Sequence, residues 1–338
     1  MSLRNVPGQE RAKRFLRQIV ITGQIPHALL FSGMKGIGKT AIANEFAKLS
    51  NCLSPQDHDS CDRCPSCRKI DIGSHPDMLW VESDGAYIKI GQIREFRERL
   101  RFPPFEARRR VIVIKDAQNL RDEAANALLK MLEEPPRQNT FVLLVVESQM
   151  LLPTIVSRCC HIRFQPLDDA WIEDHLVRTH RVPLARAREV ARLAEGSLER
   201  AQWFVEEDRV AHWRSILANV GKLQELSMMD FFELMAQWAQ KSEDLEQDLE
   251  CIKLWVRDGI LSRLLLDYRP VFEYDAYIRE RARRVSVEVL FRLYDQIDEA
   301  MRRLKLNANR QLTLEGVCLA IKDDLYGKGG WDSLPKGR

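Results

Sequence analysis

Two groups of residues in this chain have the types and spacing to do chemistry. The first is Gly33-Met34-Lys35-Gly36-Ile37-Gly38-Lys39-Thr40, a G-x-x-x-x-G-K-T pattern. An apolar run, Ala28-Leu29-Leu30-Phe31, leads into it, and Ala41–Lys48 follows with helical spacing. Strand, glycine-rich loop and helix, in that order, are the context a P-loop requires. Gly33, Gly36 and Gly38 let successive backbone N–H groups turn inward onto a phosphate, and the helix behind them offers its positive N-terminus. Lys39 would reach the β- and γ-phosphates and Thr40 would hold Mg²⁺, so ATP or ADP is the expected ligand. The competing explanation is a glycine-rich turn that happens to precede Lys-Thr, and the flanking strand and helix argue against it.

The second group is Cys52-x8-Cys61-x2-Cys64-x2-Cys67, four thiols within sixteen residues. Three of them recur at intervals of three, so a tight turn can aim them at one ion. A tetrahedral four-cysteine zinc site fits, with no coordination position left for water and hence a structural role. An iron–sulfur cluster and unligated thiols are the alternatives. His58 and His75 lie nearby, but four cysteines already complete a tetrahedron, and both histidines are expected at the surface. The N-terminal MSLRNVPGQERAKRF has no apolar signal core, so a cytoplasmic protein without a disulfide framework is expected.

The elements that must position these groups are legible in the apolar pattern. Residues 4–20 are predicted helical. Ile90–Leu100 is a charged amphipathic helix broken by Pro103-Pro104, and Asp122–Leu132 is a helix stopped by Pro135-Pro136. Val111–Ile114, Phe141–Val146 and His161–Phe164 are predicted strands, with a polar stretch running to about Asp84 before them. Strands alternating with helices predict a parallel α/β sheet over residues 1–165. Strand signals then cease. Short helical segments surround Gly196-Ser197, and Val210–Leu325 is helical throughout. The expected domains are 1–165 with the cysteine module at 52–67, a small helical domain at 166–208, and an all-helical domain at 209–338.

Composition bounds the function classes. With 338 residues, 45% hydrophobic and 30% charged, the chain has material for several soluble domains. Its longest apolar run, Phe141–Val146, is far too short for a membrane span. A net charge of +3 does not by itself argue for nucleic acid. Arg94, Arg97, Arg99, Arg101 and Arg108–Arg110 form a basic stretch that reads either as a DNA-backbone contact or as a solvated face salted with Glu95, Glu98 and Glu106. Arg281–Arg284 carries the same ambiguity. Trp171, Trp203, Trp213, Trp238 and Trp255 sit on helical patterns with Leu and Ile, as core or interface residues do.

Taken together, the motifs resemble the AAA+ subunits of the bacterial replicative clamp loader, the gamma/tau and delta-prime subunits of DNA polymerase III. The matching residues are Gly8-Gln9-Glu10, Pro26–Gly33 before the loop, the four cysteines, Asn126–Lys130 running into Leu132–Pro136, and Ser157-Arg158-Cys159. The resemblance covers residues 1–205 strongly. It covers the last third weakly, through Leu306–Asn309 and Leu312–Glu315. It implies an AAA+ P-loop domain with an inserted zinc module, a helical lid and a C-terminal helical collar. It also implies partners: the gamma/tau and delta subunits, and through them the sliding clamp and primed DNA. A DNA polymerase label would then apply to the whole holoenzyme.

The departures from the family pattern discriminate among its members. Working ATPases of the family end the second P-loop strand in Asp-Glu, where this chain has Lys115-Asp116. Successive strand residues face opposite ways, so Asp116 is not expected to replace its neighbour. The polar sensor position holds Val146, and the sensor arginine position holds Glu199, with Arg200 one residue late. Arg158 is kept, and in this family that arginine reaches a neighbouring subunit's γ-phosphate in trans. The plainer reading of Arg158 is a partner for a carboxylate at a strand end. The pattern resembles the delta-prime type, a stator without hydrolysis of its own. A gamma/tau-type motor ATPase and an AAA+ nucleic-acid binder outside replication are the alternatives.

Overall fold

The structure is a computed structural model describing residues 2–206, 209–242, 244–266, 268, 270–271 and 285–326. Arg281–Arg284 lie outside the described residues. The chain divides into two compact units, residues 1–202 and 203–338.

In the first unit, five parallel strands form one sheet in the order β2-β3-β4-β1-β5. They are β1 (Ala28–Ser32), β2 (Met78–Val81), β3 (Arg110–Ile114), β4 (Asn139–Val145) and β5 (Cys160–Arg163). Every residue of β1, β3 and β4 is buried, as a parallel sheet covered on both faces demands. Side chains alternate between two apolar layers. Leu29, Phe31, Val111, Val113, Val142 and Leu144 pack with α1 (Glu10–Ile21) and α2 (Lys39–Asn51). Ala28, Leu30, Ile112, Ile114, Phe141 and Leu143 pack on the other face with α4 (Ile90–Arg99) and α5 (Asp122–Glu133). This is the parallel α/β sheet that the sequence predicts, with the P-loop following β1.

The polar stretch expected before Asp84 conceals two elements, α3 (Pro65–Asp71) and the edge strand β2. Met78-Leu79-Trp80-Val81 is too short to show a period, and only its pairing with Val111–Ile114 fixes it as a strand. His75 is also not at the surface. It is buried at the start of β2, where its Nδ1 accepts the Asp77 N–H at 3.2 Å, while His58 is exposed as expected. Three further helices close this part of the chain: α6 (Pro153–Val156), α7 (Asp169–His180) and α8 (Leu184–Ala194). Helix α9 (Leu198–Val205) begins immediately after Ser197.

A buried ion pair organises the basic stretch. Asp77 accepts the N–H groups of Phe105, Glu106 and Ala107 at 2.8–2.9 Å and Arg110 Nε at 3.2 Å. Arg110 in turn donates to the carbonyls of Arg99, Phe102 and Pro103 at 2.9–3.1 Å. The Pro103-Pro104 loop is thus pinned from both sides. Arg109 is turned onto Asn139 O and Thr140 Oγ1, Arg99 pairs with Glu95, and Arg101 pairs with Glu98. Four arginines of the stretch are therefore engaged within the fold.

The second unit contains α10 (Arg209–Lys222), α11 (Met228–Lys241), α12 (Leu245–Leu264), α13 (Val287–Lys305) and α14 (Arg310–Tyr326). Trp213, Trp238 and Trp255 are buried in it, and Trp238 Nε1 donates to the buried Asp248 at 2.8 Å. Among the described residues, no helix is long and apolar enough to cross a membrane.

Removing one partner of a buried, hydrogen-bonded ion pair costs about 3–5 kcal/mol. Asp77→Ala should destabilise the first unit by that order, read as an earlier melting transition. Burial would raise the Asp77 carboxyl, but its three N–H donors and Arg110 hold it below the ordinary 3.8. Its stabilisation is therefore complete above that value and lost as pH falls below it. The wild-type and variant melting curves should converge in strong acid.

Candidate nucleotide and metal sites

The P-loop follows β1, in the interior of the sheet, where the loop's first amide is held by the neighbouring strand. Gly33 N–H is shared between the carbonyls of Val145 and Val146, at 3.2 and 2.9 Å. Gly38 has φ +97° and caps α2, a conformation open to glycine and strained for other residues. Gly36 answers a different need. A Cβ there would lie 2.1 Å from Ser197 Oγ and 2.7 Å from Glu199 Cβ. The Leu198 N–H donates to Gly36 O at 3.0 Å, so the loop backbone is seated directly on the start of α9. Gln9 completes the frame: its amide donates to Ile37 O and Gln165 O and accepts the Gln165 N–H.

A cavity of about 630 Å³ opens over the loop, a size suited to a nucleotide. One wall is apolar, with Val6, Pro7, Leu167 and Trp171. The Trp171 ring stacks on His175 at 4.9 Å and 17°. The opposite side is charged, with Lys35, Lys39, Lys115, Asp116 and Glu199. Lys39 Nζ donates to the carbonyls of Gly33 and Met34. Burial, aided by Lys35, pulls Lys39 down to about 8 against the opposing pull of Asp116 and Glu199. Thr40 is exposed at the cavity. Gly36, Gly38, Lys39 and Thr40 line the cavity, and Gly33 lies at the end of β1 just before them.

Three of the divergent positions, Lys115, Asp116 and Glu199, line the same cavity. Lys115 Nζ is 2.5 Å from Glu82 Oε1 and 4.9 Å from the Trp80 ring centre. Asp116 does not obey strand alternation, because β3 ends at Ile114 and Asp116 adopts left-handed backbone with φ 45°. It therefore lies along the cavity beside Lys115, 3.9 Å from Lys35 Nζ. Val146 offers only an aliphatic side chain beyond β4. Arg200 is paired with Glu195 at 3.2 Å, leaving Glu199 on the loop. Arg158 stands apart from this cavity. Its Nη1 donates to Thr154 O at 3.0 Å, and its Nη2 lies 2.9 Å from Glu133 Oε1, with about a third of the side chain exposed.

The four cysteines form a second site. Their Sγ atoms all lie within 4.8 Å of one another, the sole such metal-ligating group among the described residues. Cys52 caps the end of α2 and Cys64 the start of α3. Backbone N–H groups of Cys61, Cys64 and Cys67 point at the sulfurs of Cys52, Cys61 and Cys64, at 3.3–3.5 Å. Burial opposes ionisation of Cys61, yet the Arg63 and Cys64 N–H groups bring its thiol down to about 6. Burial pushes the Cys52 and Cys67 thiols up instead, and four sulfurs this close, three of them facing N–H donors, fit a structural zinc ion that would hold them as thiolates. The module is tied to the rest of the unit by charge: Lys48, fully buried, meets Asp62 and Asp71 at 2.5 and 2.9 Å, and Asp59 accepts Leu3 N–H, Arg4 and Arg17.

Comparison with known proteins completes the site. The sequence model of the family described as DNA polymerase III, delta subunit, matches residues 8–168. DNA polymerase III subunit delta-prime of Bacillus subtilis is 30% identical over 93% of this chain and 96% of its own length. The chain belongs to the DNA polymerase III delta-prime family of clamp-loader subunits. The tau subunit of Bacillus subtilis is 25% identical over 94% of this chain, which spans 61% of tau. A gamma-subunit-related protein of Thermotoga maritima aligns over 92% of this chain at 20% identity and a TM-score of 0.46, too loose a likeness to argue from.

Several delta-prime site features were not foreseen from sequence. Trp171 lines the P-loop cavity although its helical spacing suggests core or interface. Glu133, read only as part of the Glu133-Glu134-Pro135-Pro136 motif, is the partner of Arg158. The framing role of Gln9 had no local signal, because its partners lie 28 and 156 residues away.

Metal analysis of the purified chain should return about one zinc and no visible chromophore. Cys64→Ser, which removes a ligand but keeps a side chain able to cap α3, should abolish stoichiometric zinc and lower the melting temperature of the first unit. An iron-dependent absorbance would overturn the zinc assignment.

Proposed function

We propose that this chain is the non-hydrolysing delta-prime stator of the bacterial clamp loader. In this reading it assembles with gamma/tau and delta subunits, completes a neighbouring gamma/tau ATP site with Arg158, and assists loading of the sliding clamp onto primed DNA. The observation that carries it is a retained Arg158 in a chain whose own P-loop is surrounded by Lys115, Val146 and Glu199. The P-loop would still bind a nucleotide, through its backbone N–H groups, Lys39 and Thr40. Turnover needs more: a carboxylate to hold the metal and a base or polar group to place water. Lys115 replaces the first with a cation, and Val146 cannot donate or accept.

Arg158 suits a role in trans because its present partner is easily exchanged. An ion pair as exposed as Arg158–Glu133 contributes about 1 kcal/mol or less. A γ-phosphate offers the same planar fork a bidentate acceptor of higher charge. A groove of about 1050 Å³ along α13 and α14, with Phe291 and Leu312 exposed, supports a C-terminal collar contact with other subunits. The division at 165/166 into P-loop and lid domains belongs to the same proposal, with residues 166–208 as the lid and 209–338 as the collar.

The isolated chain should show no magnesium-dependent ATP turnover. Turnover that disappears in Lys39→Ala would favour the motor reading instead.

Arg158→Ala should leave the chain folded and assembled with gamma/tau and delta, yet slow DNA-stimulated ATP hydrolysis and clamp loading by the complex. An arginine finger is worth roughly 10³–10⁵ in rate at the site it serves. The loss for the whole complex should be smaller, since other sites retain their own fingers. Arg158→Lys should rescue poorly. Intact assembly with wild-type rates in Arg158→Ala would reduce Arg158 to a structural arginine.

A further inference from the structure

We propose that the P-loop cavity is a diphosphate site, taking ADP in preference to ATP, and that the Glu199 carboxylate sets this preference. The proposal rests on the reading that the P-loop binds a nucleotide, and it specifies which one.

The argument is one of charge at the phosphate end of the cavity. The loop that would cradle the phosphates is covered by the first turn of α9. Glu199 Cβ is 2.7 Å from the position a Cβ would take on Gly36, and the Leu198 N–H fixes that contact through Gly36 O. Glu199 is therefore anchored over the loop by its backbone, close enough for its charge to stabilise the Lys39 ammonium. Asp116 brings a second carboxylate from the other side, 3.9 Å from Lys35. Of the cavity's lysines, Lys115 is already matched by Glu82 at 2.5 Å. That leaves Lys35 and Lys39 facing Asp116 and Glu199, an even balance with no surplus positive charge.

The remaining nearby groups do not alter it. Burial and the proximity of His180 lower the pKa of His175 and favour its neutral form. Arg200 faces Glu195. A third phosphate adds one negative charge over a loop already flanked by two carboxylates. The backbone N–H groups and Lys39 can satisfy two phosphates without that addition. Coulomb repulsion at a partly solvated distance is sufficient for a tenfold effect on affinity.

The test is calorimetric titration of the whole chain with ADP and with ATP, each with magnesium. Wild-type protein should bind ADP on the order of tenfold more tightly than ATP. Glu199→Gln should narrow the ratio to about threefold or less, chiefly by strengthening ATP, and Glu199→Arg should reverse it. Glu199 is exposed, so both variants should melt with the wild type, which is checked in parallel. Equal affinities, or tighter ATP, in the wild-type chain overturn the proposal. A preference for ADP that persists unchanged in both variants removes Glu199 as its cause and overturns it likewise. Absence of heat with either nucleotide at millimolar concentration, in a folded chain, overturns the nucleotide-binding reading itself. Loss of binding in Lys39→Ala assigns the observed heat to the loop.

Discussion

The Gly33 N–H shared between the carbonyls of Val145 and Val146 joins the carboxyl end of β1 to that of β4, and the site is built outward from this junction. A parallel sheet delivers loops of different strands to the same edge, and ligands gather where those loops meet. Here the loop after β1 supplies the glycines and Lys39, the end of β3 supplies Lys115 and Asp116, and β4 supplies Leu144. The start of α9 adds Glu199 through the contact of Leu198 with Gly36. No part of the cavity is made by neighbours in sequence alone. Its charge balance is consequently a property of the fold, set by three strand ends and one helix start.

Much of this was legible in the chain. Buried parallel strands declare themselves by β-branched and apolar runs, and Val111–Ile114 and Phe141–Val145 did so because both of their faces are covered. The P-loop was legible because its chemistry is local: phosphate cradling needs glycines, Lys and Thr at fixed offsets. The cysteines were legible for the same reason. What escaped depended on partners far away in sequence. The strand Met78–Val81 lies at the sheet edge and is defined by pairing with β3. His75 is buried by the segment that Asp77 pins, and nothing beside it in sequence requires that. Asp116 left the strand pattern because β3 ends two residues before it. Alternation holds only while the strand lasts.

The arginines show how formal charge misleads when burial is ignored. A run such as Arg108-Arg109-Arg110 suggests a phosphate-binding surface, yet Arg110 is buried against Asp77 and Arg109 is spent on Asn139 and Thr140. Their guanidinium forks serve as internal clamps, satisfying carbonyls of a proline-broken loop that cannot satisfy one another. The same chemistry that would recognise DNA from the surface here orders the polypeptide. Exposure, more than residue type, decides between the two uses.

Arg158 is the counterexample, and the comparison explains why the two kinds of arginine differ. The Arg110 side chain makes four polar contacts in a desolvated setting, so exchanging its partners would leave Asp77 buried without its charge partner. Arg158 has one carboxylate, one carbonyl and a distant hydroxyl, all at a wet surface, and little would be lost by exchanging them. A residue that must act on another molecule has to be held loosely enough to leave. The contact of α9 on Gly36 is of the opposite kind: a backbone hydrogen bond and a close steric fit hold Glu199 in place over the loop. The P-loop is gripped by the chain's own backbone, whereas Arg158 is held at the surface by contacts that cost little to exchange.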